Sequence, residues 1–162
     1  MWHRAVRAGV RAAAASCAAV LLASCGGGSA HAGSPCPRRV ATALGAGTRA
    51  TPASRDVDRV TCVYRARGGG AVVRVTVDTA PQARVRWGRW VDERGQAYLG
   101  APRSELPEVL EGIGEGAAWV PAARELVATG RGRLVTVLVL RGAGGRRART
   151  TAVTVARAAL AG

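Results

Sequence analysis

The chain has 162 residues and a net charge of +14, from 24 arginines set against 10 acids, with no lysine and no asparagine. That length suits one domain with its own core. Both histidines, His3 and His31, precede residue 32, so Ser-His-Asp catalysis, Cys-His catalysis and most zinc sites are excluded from the rest of the chain.

The N-terminus reads as a targeting segment. His3, Arg4, Arg7 and Arg11 make a basic start, and residues 12–22 follow as an uncharged apolar run. That run is short of the roughly 20 residues needed to span a bilayer, and with a small-residue exit it describes a secretory signal. Leu22-Ala23-Ser24-Cys25 has the form of a bacterial lipobox: a large apolar residue, two small ones and a cysteine. On that reading residues 1–24 are a lipoprotein signal and Cys25 carries the lipid, with two or three acyl chains giving a stable anchor. An ordinary signal cut near Ala30-His31-Ala32, releasing a soluble protein, is the alternative. Cys17 is a poorer acceptor, since no leucine stands three residues before it. Residues 25–35 are a Gly/Ser-rich tether, with a reach of roughly 17 Å as a flexible coil. His31 within it is read as solvated.

Residues 36–162 are expected to form a single extracytoplasmic domain. Lipidation uses one cysteine and leaves Cys36 and Cys62. In an exported protein this even pair reads as one disulfide, closing a loop of about 25 residues and stabilising by about 3–4 kcal/mol; two free thiols are the alternative. Pro37 to Leu44 is predicted helical, with Pro37 at its start and Gly45 as its stop. Residues 46–57 are polar and turn-rich. Val60 to Ala66 and Ala71 to Asp78 are predicted as strands of an antiparallel hairpin around Gly68-Gly69-Gly70, with Cys62 and Tyr64 on one face of the first and Val73, Val75 and Val77 alternating in the second.

Pro81 to Tyr98 is predicted as a helix capped by Asp78 or Thr79. Ala83, Trp87, Trp90, Val91 and Tyr98 form its apolar stripe, and Arg84, Arg86, Arg89 and Arg94 a solvated face. Gly88 weakens it by about 1 kcal/mol relative to alanine. Residues 99–107 are a loop. Glu108 to Trp119 carries three glycines in five residues, which favours tight turns, leading into strands Ala117–Val120 and Glu125–Thr129. Gly130-Arg131-Gly132 is a hairpin turn before Arg133–Leu140, whose apolar run suits a central strand. Thr151 to Ala161 closes the chain as a helix that packs Val153, Ala156 and Leu160 on the sheet. The order implies an α+β fold, an antiparallel sheet with helices mainly on one face.

Several of these segments together resemble a known family. They are the lipobox, Cys36 before a short helix ending Leu44-Gly45, Thr61-Cys62-Val63-Tyr64, Gly112-Ile113-Gly114-Glu115-Gly116-Ala117-Ala118-Trp119, and a strand pair split by Gly130. The order resembles actinobacterial lipoproteins grouped as a domain of unknown function, similar in build to the external sensor domains of some mycobacterial serine/threonine kinases. The family pattern more often has Val-Pro where Leu110 and Glu111 stand, and Gly116 extends the glycine run. The resemblance implies fold and location and transfers no catalytic site.

The chemistry left is sparse. The glycine segment lacks the G-x-x-x-x-G-K-[ST] pattern of a phosphate loop and the strand-turn-helix setting of a dinucleotide site, so no cofactor is expected. Glu105, Glu108, Glu111 and Glu115 are the acids from which a carboxylate pair could come, with Glu108 and Glu111 sharing a face if helical. Trp87, Trp90 and Trp119 serve either core packing or a ligand pocket. The arginines are dispersed, densest at Arg146-Arg147-Ala148-Arg149; no nucleic-acid motif accompanies them, and weak attraction to anionic lipid or polymer fits better. The leading expectation is a membrane-anchored, non-catalytic binding or sensor-like module of the envelope. The alternatives are an accessory envelope protein acting through its arginines and, more remotely, a carboxylate hydrolase.

Overall fold

The computed structural model describes residues 34–142 and 144–162. The expected signal at 1–24, Cys17, Cys25, His31 and the tether through residue 33 lie outside the described residues. In chain order the elements are α1 (Arg38–Leu44), β1 (Arg49–Arg55), β2 (Arg59–Arg65), β3 (Val72–Asp78), α2 (Ala83–Ala97), β4 (Glu108–Val109), β5 (Gly116–Val120), β6 (Glu125–Gly130), β7 (Arg133–Arg141) and α3 (Gly145–Leu160). The strands form one antiparallel sheet ordered β1-β2-β3-β7-β6-β5-β4. The architecture is the expected α+β, and the apolar β7 is its central strand.

The strand period of two sorts the sheet into unlike faces. One register row runs Cys62–Val75–Val137–Leu126–Trp119 across β2, β3, β7, β6 and β5. These residues are all buried and share one hydrophobic cluster with Val40 of α1 and with Ala148, Ala152, Val155, Ala156, Ala159 and Leu160 of α3. The adjacent row runs Thr61–Thr76–Thr136–Val127–Ala118 and points the other way. The threonines are half-exposed, whereas Val127 and Ala118 are buried. α2 is what buries them: Trp87 lies against Gly116, Arg94 reaches Glu125, and both of those sheet positions share the second row's face. Thus α1 and α3 pack on one face, and α2 covers only the β5–β7 half of the other.

Cys36 and Cys62 are joined, with their Cα atoms 5.8 Å apart. This fixes the start of α1 to the middle of β2, and the Tyr64 hydroxyl donates to the Pro37 carbonyl at 3.2 Å beside it. Burial pushes the Tyr64 phenol up to about 12.

Four expectations need correction. Residues 46–57 hold a strand, β1. It lies at the sheet edge with most residues exposed, and a register irregularity falls between Pro52 and Ser54. An edge strand carrying proline, arginines and a bulge shows no apolar alternation, yet those features discourage pairing with other chains. α3 starts at Gly145, well before Thr151, because buried Ala148 and Ala152 seat its first turns closely on the sheet. The cap of α2 is Gln82, at φ 79°, and neither Asp78 nor Thr79. Asp78 instead accepts from the Ala80 N–H at 3.0 Å, shaping the turn that precedes the helix. Finally, Glu108 lies in strand β4 and Glu111 in a turn, so the two do not share a helix face.

Candidate functional site

The turn between β4 and β5 depends on glycine. Gly114 has φ +60°, and a Cβ there would fall 2.3 Å from the Thr129 carbonyl oxygen. Only a residue without a side chain lets the backbones approach this closely, and the Glu115 N–H then donates to the same oxygen at 2.7 Å. The Glu115 carboxylate accepts from the Arg131 N–H at 3.2 Å, joining this turn to the β6–β7 hairpin. Arg131 and Gly132, at φ 52° and 71°, are the two central residues of that hairpin, both left-handed as a two-residue connection of this hand requires.

This turn is one wall of a groove whose other wall is α2. Trp87, Val91, Val109, Leu110, Ile113 and Gly116 line about 460 Å³. A Cβ on Gly116 would sit 3.2 Å from the Trp87 indole nitrogen, so the bare backbone is what lets the indole lie on the strand. Trp87 stacks on Trp90 with ring centroids 5.6 Å apart and planes 15° from parallel. Trp90 also meets the Arg94 guanidinium, whose carbon is 5.9 Å from its ring centroid. Arg94 in turn is fixed by Glu125 at 2.7 Å. The chain Glu125–Arg94–Trp90–Trp87 therefore holds a half-exposed indole at the groove. Val109 is 74% and Val91 38% exposed, so apolar surface continues past the indole into solvent. Volume and lining suit an apolar or aromatic group.

Of the three tryptophans expected at a pocket, the structure brings together Trp87 and Trp90. Trp119 is 3% exposed and belongs to the core cluster under α1 and α3, on the opposite sheet face. It is a core residue and not part of the groove. Val91 belongs to the same helix stripe as Trp87, whereas Val109 and Ile113 of this groove lie in a glycine-rich stretch whose composition suggests only turns.

The second polar cluster is structural. Asp78 is 5% exposed and binds Arg59 at 2.9 Å and Arg86 by a short contact. Burial works to raise its carboxyl, but the Ala80 N–H and the two guanidiniums outweigh that and hold it below the ordinary carboxylate range. Arg86 and Arg94 thus make ion pairs and are not simply a solvated face. Glu108 pairs with Arg149 at 2.6 Å. Among the described residues, no group of three or more His, Cys, Asp and Glu is placed to hold a metal ion, and no helix is long and apolar enough to cross a membrane. Comparison with models of protein families, with curated proteins and with solved structures finds no match for this chain.

Proposed function

We propose that this protein is a lipid-anchored, extracytoplasmic binding module without a catalytic centre, taking an apolar or aromatic group in the groove beside Trp87. The observation that carries the reading is the pinned indole pair over Gly116, a pre-organised aromatic surface that the core does not need to cover. The lipobox at Leu22–Cys25 and the even cysteine pair support export and anchoring. The non-catalytic part is supported by the engagement of the acids: Asp78, Glu108 and Glu125 are each bound to arginine.

Two measurements test this. The intact, non-reduced mass of the protein from the membranes of a lipoprotein-processing host should correspond to a chain starting at Cys25 with a diacylglyceryl group, lighter by the two hydrogens of Cys36–Cys62. An unlipidated chain starting near Ala32 would overturn the anchor. For the groove, Nile red, a neutral apolar dye, should bind the intact protein with energy transfer from tryptophan. Trp87→Ala should weaken that binding about tenfold, the equivalent of roughly 1.4 kcal/mol. An unchanged affinity in Trp87→Ala would remove the groove from the reading.

A further inference from the structure

The half of the second sheet face that α2 leaves open carries a concentration of unpaired positive charge. One register row crosses four strands as Arg49–Arg65–Val72–Arg141. The next row on that face runs Thr51–Val63–Arg74–Leu138. Arg49, Arg65, Arg74 and Arg141 are all exposed, as is Arg67. Arg67 joins Arg49 and Arg65 around a concavity of about 580 Å³ closed by Gly47 and Gly68. Among the described residues, none of these five arginines forms an ion pair, whereas Arg59, Arg86, Arg94 and Arg149 do. The carboxylates lie elsewhere. Asp56, Asp58 and Asp78 are at the opposite end of the β1–β2–β3 ribbon, six residues along β2 from Arg65, a distance of about 20 Å. Glu125, on the same face, is taken by Arg94.

Arg49 directly opposite Arg65 is unfavourable for the sheet itself, because like charges facing across a strand pair repel. A solvated arginine face elsewhere on this molecule needs no such pairing, and Thr at either position would serve β1–β2 better. The arrangement spans about 14 Å across three strand spacings and presents guanidiniums, whose planar forks suit phosphate oxygens.

We infer that the open Arg49–Arg65–Arg74–Arg141 face is a docking surface for the phosphate groups of anionic membrane lipids, against which the domain lies when anchored. This inference rests on the anchoring reading above, in which the lipid on Cys25 holds the domain near the head groups. Each arginine near an anionic surface strengthens contact by about fivefold, the equivalent of about 1 kcal/mol. The contact is electrostatic and weakens with salt.

The test uses the full lipidated chain in two sets of vesicles, phosphatidylcholine alone and phosphatidylcholine with phosphatidylglycerol. Each is treated with an arginine-directed glyoxal, and the modified residues are mapped by mass spectrometry. Arg49, Arg65, Arg74 and Arg141 should react several-fold more slowly in the phosphatidylglycerol vesicles. Arg103 and Arg157, exposed elsewhere, should react equally in both, and high salt should abolish the difference. In a variant with Arg49→Gln and Arg65→Thr, Arg74 and Arg141 should lose most of their protection while the thermal midpoint stays equal or rises, which a merely structural role would not produce. Equal reactivity in the two vesicle types, or protection by soluble polyphosphate but not by vesicles, would overturn the inference. A chain that fails to float with either vesicle type would instead overturn the anchor, so the two failures are distinct.

Discussion

Asp78 shows how one buried charge organises a corner of this fold. Its carboxylate holds Arg59 of β2, Arg86 of α2 and the Ala80 N–H between them, so three elements meet on one side chain. Asp78→Asn keeps the shape but removes the charge. Both arginines are partly exposed and can be rehydrated, which limits the loss; the expected destabilisation is about 1–3 kcal/mol, read from urea unfolding. The pH dependence follows from the depressed carboxyl. Its stabilisation is fully present above the ordinary value of 3.8 and is lost as pH falls through the lower folded value. Wild type and variant should therefore differ by a constant amount near neutrality, and their midpoints should converge below about pH 4. A gap that persisted unchanged at pH 2 would show that the carboxylate's charge is not what stabilises this corner. Asp78 stood out in the sequence only as a possible helix cap. Its real role depends on the Arg59–Asp78 register of β2 and β3, which no local spacing reveals.

At the scale of the element, glycines separate two kinds of constraint. Gly88 and Gly95 lie inside α2, and a Cβ at either would meet nothing within 4 Å. Gly88→Ala and Gly95→Ala should each stabilise by about 1 kcal/mol, because only backbone entropy separates the two residues there. Gly114→Ala should do the opposite and cost about 3 kcal/mol or more, since its Cβ would collide with the Thr129 carbonyl. Differential scanning calorimetry of the three variants gives opposite signs if the groove wall is built as described. Elements were legible in the sequence where burial imposed a period. β2, β3 and β7 alternate or run apolar because they face a core, and α1 was bounded by Pro37 and Gly45. β1 was not legible, since RATPASR at an open edge answers to no core. The start of α3 was hidden because GRRART shows no apolar period until buried Ala148 and Ala152 are known to face the sheet. The tryptophans divide the same way. Trp87 and Trp90 were recognisable as one helix face, but whether Trp119 joined them turned on the parity of β5, which pairing with β6 decides.

For the described domain as a whole, the covalent link governs how α1 joins the sheet. α1 has seven residues, too few to persist without tertiary support. It is held by Val40 in the core, by the Tyr64 hydroxyl on Pro37 and by the Cys36–Cys62 bond. β1, at one edge of the sheet, pairs on one side only, with β2. By contrast, β5 and β6 are buried on both faces. Loss of the disulfide in Cys36→Ala/Cys62→Ala removes the constraint on a loop with sequence separation 26, and should lower unfolding stability by about 3–4 kcal/mol. The loss should not be spread evenly. Hydrogen exchange should rise first at 38–44 and 49–55, while β6 and β7 keep protection up to the global unfolding limit. Because both sulfurs are buried, reductant should act slowly on the native protein and quickly once urea opens it. Uniform loss of protection across the sheet would instead mean that α1 and the β1 edge fold as one unit with β5–β7, and that the bond stabilises the whole sheet rather than its N-terminal attachment.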